Sequence, residues 1–189
     1  KVIAADEVNQ ASVQTFERTL GDYMLANLHP DGRMTYKYWP SRGEESDSNN
    51  MIRQWLATNA LIKIAQAHPD RPELWEVSAR NIDYNLANFY HDEGPEHGII
   101  EFRNKAKLGA ISLAAMALIE HKDRHRWRDQ EQRLLAAVKS LWKPSGEFHT
   151  WYKRPSGGAR ELHNFYPGET LLMWATLYQK APNTEILDM

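Results

Sequence analysis

Glu169 is the residue of this chain whose setting most invites chemistry. It stands two positions after Pro167, and proline suits the first turn of a helix, so the carboxylate is expected at a helix start. A carboxylate there is also stabilised by the positive end of the helix dipole, so an ordinary helix-start role stands beside a catalytic one. Glu101, in a strand-like segment, completes a carboxyl pair that can divide acid and base roles. Arg53 and Lys107 offer positive charge for an anionic group, and Tyr152, Tyr166, His149 and His163 can hold or move a proton. Arg53 can equally pair with a neighbouring acid, and tyrosines at strand ends commonly pack with a satisfied hydroxyl. Trp39 and Trp151, near strand ends, present flat apolar faces for stacking, whereas Trp55 and Trp174 fall inside apolar helices and read as core.

Other chemistries have less behind them. His121 and His125 are spaced i, i+4, but Lys122 occupies the place where a zinc protease carries glutamate. The string His121 to Arg126 reads as a polar turn with solvated histidines, and His91 and His97 lie in a Gly/Pro-containing loop, so neither metal nor cofactor is expected. The acidic run Glu44-Glu45-Ser46-Asp47 reads as a solvated loop leading to a helix cap at Ser48, Asn49 or Asn50. With no cysteine there is no disulfide, thiolate nucleophile or cysteine-bound zinc, and the redox compartment stays open.

Charge narrows the partners. The 23 basic and 25 acidic residues are interspersed and leave a formal net charge of −2, which argues against nucleic acid and anionic membranes. No apolar run approaches the roughly 18 residues that a membrane span needs, so a soluble chain without membrane insertion is expected. Lys1 to Ala5 is too short for an intact signal peptide. The missing initiator Met suggests a processed or trimmed product, which would suit a periplasmic or extracellular location. The string Thr184 to Met189 reads like the opening of another helix, so a longer natural chain is expected.

The elements that must position these residues come from a repeat. Three segments begin at an Asn and are apolar nearly all the way round: Asn50 to Ala67, Asn104 to Ile119 and Asn164 to Tyr178. They read as buried helices. Ala60-Leu61-Ile62, Ala117-Leu118-Ile119 and Thr176-Leu177-Tyr178 align at spacings of 57 and 59 residues, which points to internal duplication. Before each lies an amphipathic helix with one apolar stripe: Phe16, Leu20, Tyr23 and Met24; Trp75, Ile82, Leu86 and Phe89; Leu134, Val138 and Leu141. Between outer and inner helix, a glycine turn at Gly32, Gly98 or Gly146 leads into strand-like residues. A period this long does not fit tetratricopeptide repeats of about 34 residues or armadillo repeats of about 40 to 47. The expectation is an all-α fold of one domain, residues 1–189: three αα-hairpins in two layers, with short β-strands in the outer-to-inner connections.

In this arrangement, and in the strings Asn50-Met51-Ile52-Arg53-Gln54 and Phe165-Tyr166-Pro167-Gly168-Glu169, the chain resembles the α/α-toroid superfamily of carbohydrate-active proteins. That superfamily includes six-hairpin glycosidases, uronate lyases and sugar epimerases. The cysteine-zinc toroids and the terpene cyclases fit less well, because cysteine and an Asp-rich acid motif are absent. Three hairpins rather than six imply a half or open toroid, completed by the remainder of a longer chain or by a second subunit. The resemblance implies an oligosaccharide or polysaccharide partner meeting the inner-helix starts, where free backbone N–H groups gather.

Two reactions follow from it. Glycoside hydrolysis would use Glu169 and Glu101 as carboxyl groups flanking a sugar bond. Uronate epimerisation or elimination would use Arg53 or Lys107 to neutralise the sugar carboxylate, with Tyr152, Tyr166, His149 or His163 moving the proton. Trp39 and Trp151 would stack on sugar rings. A non-catalytic scaffold holding a glycan or peptide is the alternative.

Overall fold

The computed structural model describes residues 4, 7–154, 158 and 160–187; of the terminal strings read above, Lys1, Val2, Ile3, Ala5, Asp188 and Met189 lie outside the described residues. The chain is mostly helical with a few short strands, and the helix starts follow from their sequence signals. α1 (Gln10–Ala26) opens on Asn9, whose side chain accepts from the Ser12 amide while Ser12 Oγ accepts from the Asn9 amide. α2 (Met51–Ala67) opens on Asn50, which accepts from the Arg53 amide at 3.3 Å, so Asn50 is the cap among the three candidates. Pro72 introduces α3 (Glu73–Phe89), where a backbone N–H would find no helical partner. α4 (Leu108–Glu120), α5 (Arg128–Ser140), α6 (Tyr166–Lys180) and the short α7 (Thr184–Leu187) follow. Pro167 lies in the first turn of α6.

The strands form two-stranded antiparallel ladders in the connections. β1 (Tyr38–Trp39) pairs with β2 (Glu44–Glu45), β3 (Tyr90–Glu93) with β4 (His97–Ile100), and β5 (Ala106–Lys107) with β6 (Trp151–Lys153). The last ladder joins the segment before α4 to the segment before α6, so it ties two repeat units together. The acidic run is therefore partly a strand, and Glu45 is engaged by Arg33 at 2.7 Å and by Thr35 at 3.0 Å.

α4 occupies the centre. Each of its thirteen residues is buried, as its apolar surface on every side requires. α2 packs on one flank of α4 and α6 on the other, while α3 lies against α2 and α5 against α4. Polar ties fix the register: Asn59 of α2 donates to the Leu113 carbonyl of α4 at 2.9 Å, and Ser112 of α4 meets Thr170 of α6 at 2.8 Å. At the far end of α4, Lys63 pairs with the buried Glu120 at 2.5 Å.

Several expectations need correction. The central apolar helix begins at Leu108 and not at Asn104, because Arg103 and Asn104 both adopt left-handed backbone, with φ of 53° and 58°. The third begins at Tyr166, after a turn through Asn164. Gly98 is a strand residue covered by the Tyr90 ring, and the positive φ of that hairpin, 69°, belongs to Gly94. Of the α1 stripe only Met24 packs against the buried residues Leu61, Ala65 and Leu74; Phe16, Leu20 and Tyr23 are 63%, 39% and 66% exposed, because α1 approaches α2 through Gly21, packed close to Ile64.

His121 is not solvated either. It is buried between the edges of Trp75 and Trp127, with Nδ1 accepting from the Asp123 amide and Nε2 beside the Trp75 carbonyl and Ser78 Oγ. Burial holds its pKa below the usual histidine value, with the Trp75 carbonyl opposing. No group of three or more His, Cys, Asp or Glu arranged to hold a metal occurs among the described residues. No helix among them is long and apolar enough to cross a membrane.

Candidate functional site

At the first turn of α4, side chains of α2 and α6 both approach its backbone. Gly109 makes that approach possible. A Cβ at this position would stand 2.1 Å from Glu169 Oε2, 2.8 Å from Tyr166 Cδ1 and 3.0 Å from Ile52 Cδ1. Side chains from the starts of α2 and α6 thus meet over one backbone position of α4. Glu169 Oε2 is shielded from solvent and has no hydrogen-bond partner. Burial raises the Glu169 pKa, because the ionised form would be less well hydrated at this half-buried position. Burial, reinforced by the charge of Glu169, likewise raises the Tyr166 hydroxyl.

Lys107, at the cap of α4, stands beside this group, its Nζ 5.3 Å from the Trp151 ring centre and 6.0 Å from that of Tyr166. Burial first, and the positive charge of Lys105 second, hold its pKa below the usual lysine value. Lys107 also lines a cleft of about 190 Å³ between the starts of α2 and α4. Asn49, Asn50 and Ile52 form its α2 side, and Phe102, Arg103 and Lys105 its hairpin side. Ile52 is therefore shared: it packs on Gly109 beside Glu169 and forms a wall of the cleft.

No family model matches this chain, and no curated protein matches it.

Of the residues singled out in the sequence, Glu169, Tyr166, Lys107 and Trp151 are brought together. Trp151 differs from expectation in being only 9% exposed, with its indole N–H donating to the Arg160 carbonyl at 3.1 Å, so it offers no open stacking face. Glu101 and Tyr152 lie in an adjoining cluster on the β5–β6 side. Lys153 bridges Glu101 at 2.8 Å and Glu93 at 2.6 Å, and the Tyr152 hydroxyl meets His97 Nδ1 at 2.8 Å. Burial raises the Tyr152 pKa, with the charge of Glu93 adding to it.

The remaining candidates have other neighbours. Arg53 donates to the Tyr36 hydroxyl at 3.2 Å, and Trp39 lies exposed under Lys37. His149 is exposed, 3.9 Å from Glu161. His163 lines a separate cleft of about 330 Å³ with Glu161 and Phe165.

Sequence reasoning missed Arg103 and Lys105. Asn104 was the one available signal of the turn that presents them, since asparagine tolerates left-handed backbone.

The close packing at Gly109 gives a testable expectation. Gly109→Ala forces the Tyr166 ring and the Glu169 carboxyl to move, and overpacking of this kind costs about 1–3 kcal/mol. Denaturant unfolding should show that loss. An unchanged midpoint would mean that the three helix starts are not held as tightly as these distances indicate.

Proposed function

We propose that this chain is a carbohydrate-active protein of the α/α-toroid type that acts on a polysaccharide, with Glu169 as its proton-carrying acid. The row formed by α2, α4 and α6, flanked by α3 and α5, supports an open toroid, and strands in the connections fit that reading. The observation that carries the functional part is the carboxyl of Glu169: its Oε2 is shielded and unpartnered, and burial biases it toward its protonated form beside Tyr166, whose ring lies 6.0 Å from Lys107 Nζ. A carboxyl that burial makes hold its proton more firmly than a solvated one is suited to carry a proton to or from a sugar.

Of the two sugar reactions, proton transfer beside a uronate carboxylate is better supported than hydrolysis. Hydrolysis needs a second carboxylate free to act as base or nucleophile, and Glu101 is neutralised by Lys153. Uronate chemistry needs a cation for the sugar carboxylate and groups that exchange a proton. Lys107 supplies the first; for the second, the ionised form of Glu169 takes the proton from the carbon beside the carboxylate, its raised pKa making it the stronger base, and Tyr166 gives one back from its hydroxyl.

A non-catalytic glycan-binding scaffold is the second reading, favoured by the concave cleft with its unpaired cations. Incubating the chain with acidic and neutral oligosaccharides, followed by mass spectrometry, separates the two. The enzyme reading expects an altered acidic oligosaccharide. A panel returned unaltered would sink it and leave the scaffold.

A further inference from the structure

The cleft between α2 and α4 is unusual in its charge. Arg103, Lys105 and Lys107 line it, and no acidic side chain does. Among the described residues, none of the three pairs with a carboxylate within 4.0 Å. Lys153, one strand away, behaves differently and is held by two carboxylates. The charges are thus left open at a concave surface, where each raises the cost of the next.

Backbone strain adds a second, independent observation. The Phe102 and Lys105 amides each donate to the other's carbonyl, at 3.0 and 3.2 Å, closing a two-residue turn through Arg103 and Asn104. Both turn residues are left-handed. Such turns favour Asn-Gly, and asparagine tolerates the conformation, but an arginine there costs about 1–2 kcal/mol. The fold retains a charged side chain where a glycine would be easier to accommodate. The N-terminal end of α2, capped by Asn50, faces the same cleft and adds its partial positive charge.

We infer that this cleft binds the acid groups of an anionic saccharide, with Arg103 and Lys105 holding the chain beside the group that Lys107 neutralises. Three cations exceed what one carboxylate needs, so the geometry favours a polymer that carries acid groups on successive sugars over a neutral one. Carboxylate and sulfate share this chemistry. The saccharide identity rests on the function proposed above; the charge and strain that define the cleft do not.

Isothermal titration calorimetry tests the inference. The probes are an oligogalacturonate, a heparin fragment, a neutral oligosaccharide of equal length and inorganic sulfate. An acidic oligosaccharide should bind at least roughly tenfold more tightly than the neutral one, and more weakly as salt rises. Whether the oligogalacturonate or the heparin fragment binds better identifies carboxylate or sulfate as the natural group. Arg103→Gly combined with Lys105→Gln should weaken acidic binding by roughly tenfold or more, the scale of losing hydrogen bonds to charged groups. Arg103→Gly removes the charge but relieves the strained turn, so thermal unfolding should show no loss of fold. Equal affinity for acidic and neutral oligosaccharides, unchanged binding by the double variant, or binding of sulfate alone would each overturn the inference. Binding without conversion of any sugar would refute the catalytic reading and leave this one standing.

Discussion

Glu169→Gln is expected to slow turnover of an acidic polysaccharide by roughly 10²–10⁴-fold, the usual worth of a positioned acid or base. Its fold should remain intact, because the replaced oxygen makes no hydrogen bond that the amide would lose. Stability should even shift in the variant's favour as pH rises. The sign comes from burial, which raises the Glu169 pKa in the folded chain above its unfolded value of about 4.5. The folded state then binds more protons than the unfolded state between those two values, so wild-type stability falls as pH climbs through that window. Glutamine has nothing to titrate. Thermal unfolding from about pH 4 to about pH 8 spans the carboxylate range and should show the variant gaining on the wild type. A variant that loses stability relative to the wild type as pH rises would mean that the ionised carboxylate has a partner and is structural.

Arg124→Ala is expected to cost about 3–5 kcal/mol, the loss typical of breaking a buried ion pair. Glu131 is 1% exposed and accepts two bonds from Arg124, both at 2.6 Å, and one from Arg128 at 3.0 Å. Removing Arg124 leaves that carboxylate buried with a single partner. Arg128 is 55% exposed, so Arg128→Ala should cost a small fraction as much. Denaturant titration of the two variants checks the contrast. Equal losses would show that burial of the pair is not what sets its worth. Arg124→Met with Glu131→Leu should recover much of the stability, because matched apolar side chains need no ionic partner.

What the sequence revealed follows from which signals are local. Helix starts at Asn50 and Pro167 and the all-round apolar surface of α4 were legible because caps and periodicity are properties of neighbouring residues. The β-branched and aromatic residues between outer and inner helices correctly placed short strands in the connections. The α1 stripe misled because an apolar periodicity says which face is apolar, not which face finds a partner; Gly21 allowed the closer approach. His121 looked like a turn residue by its charged neighbours, but two tryptophans distant in sequence enclose it. The cleft cations were missed for a related reason. Only Asn104 of the Arg103–Asn104 turn carries a left-handed signal, so the hairpin that presents Arg103 and Lys105 had no glycine to announce it. Glu169 was legible as a helix-start carboxylate; its shielding depends on Gly109, 60 positions earlier, and could be seen only in three dimensions.

Hydrogen exchange at the sugar carbon beside the carboxylate tests the central claim most directly. The chain is incubated with an oligouronate in deuterated water, and the recovered sugar is read by mass spectrometry and NMR. Proton transfer at a uronate predicts deuterium at that carbon or an unsaturated product, present with the wild type and lost in Glu169→Gln. New reducing ends without deuterium or unsaturation, or equal conversion by Glu169→Gln, would contradict the account.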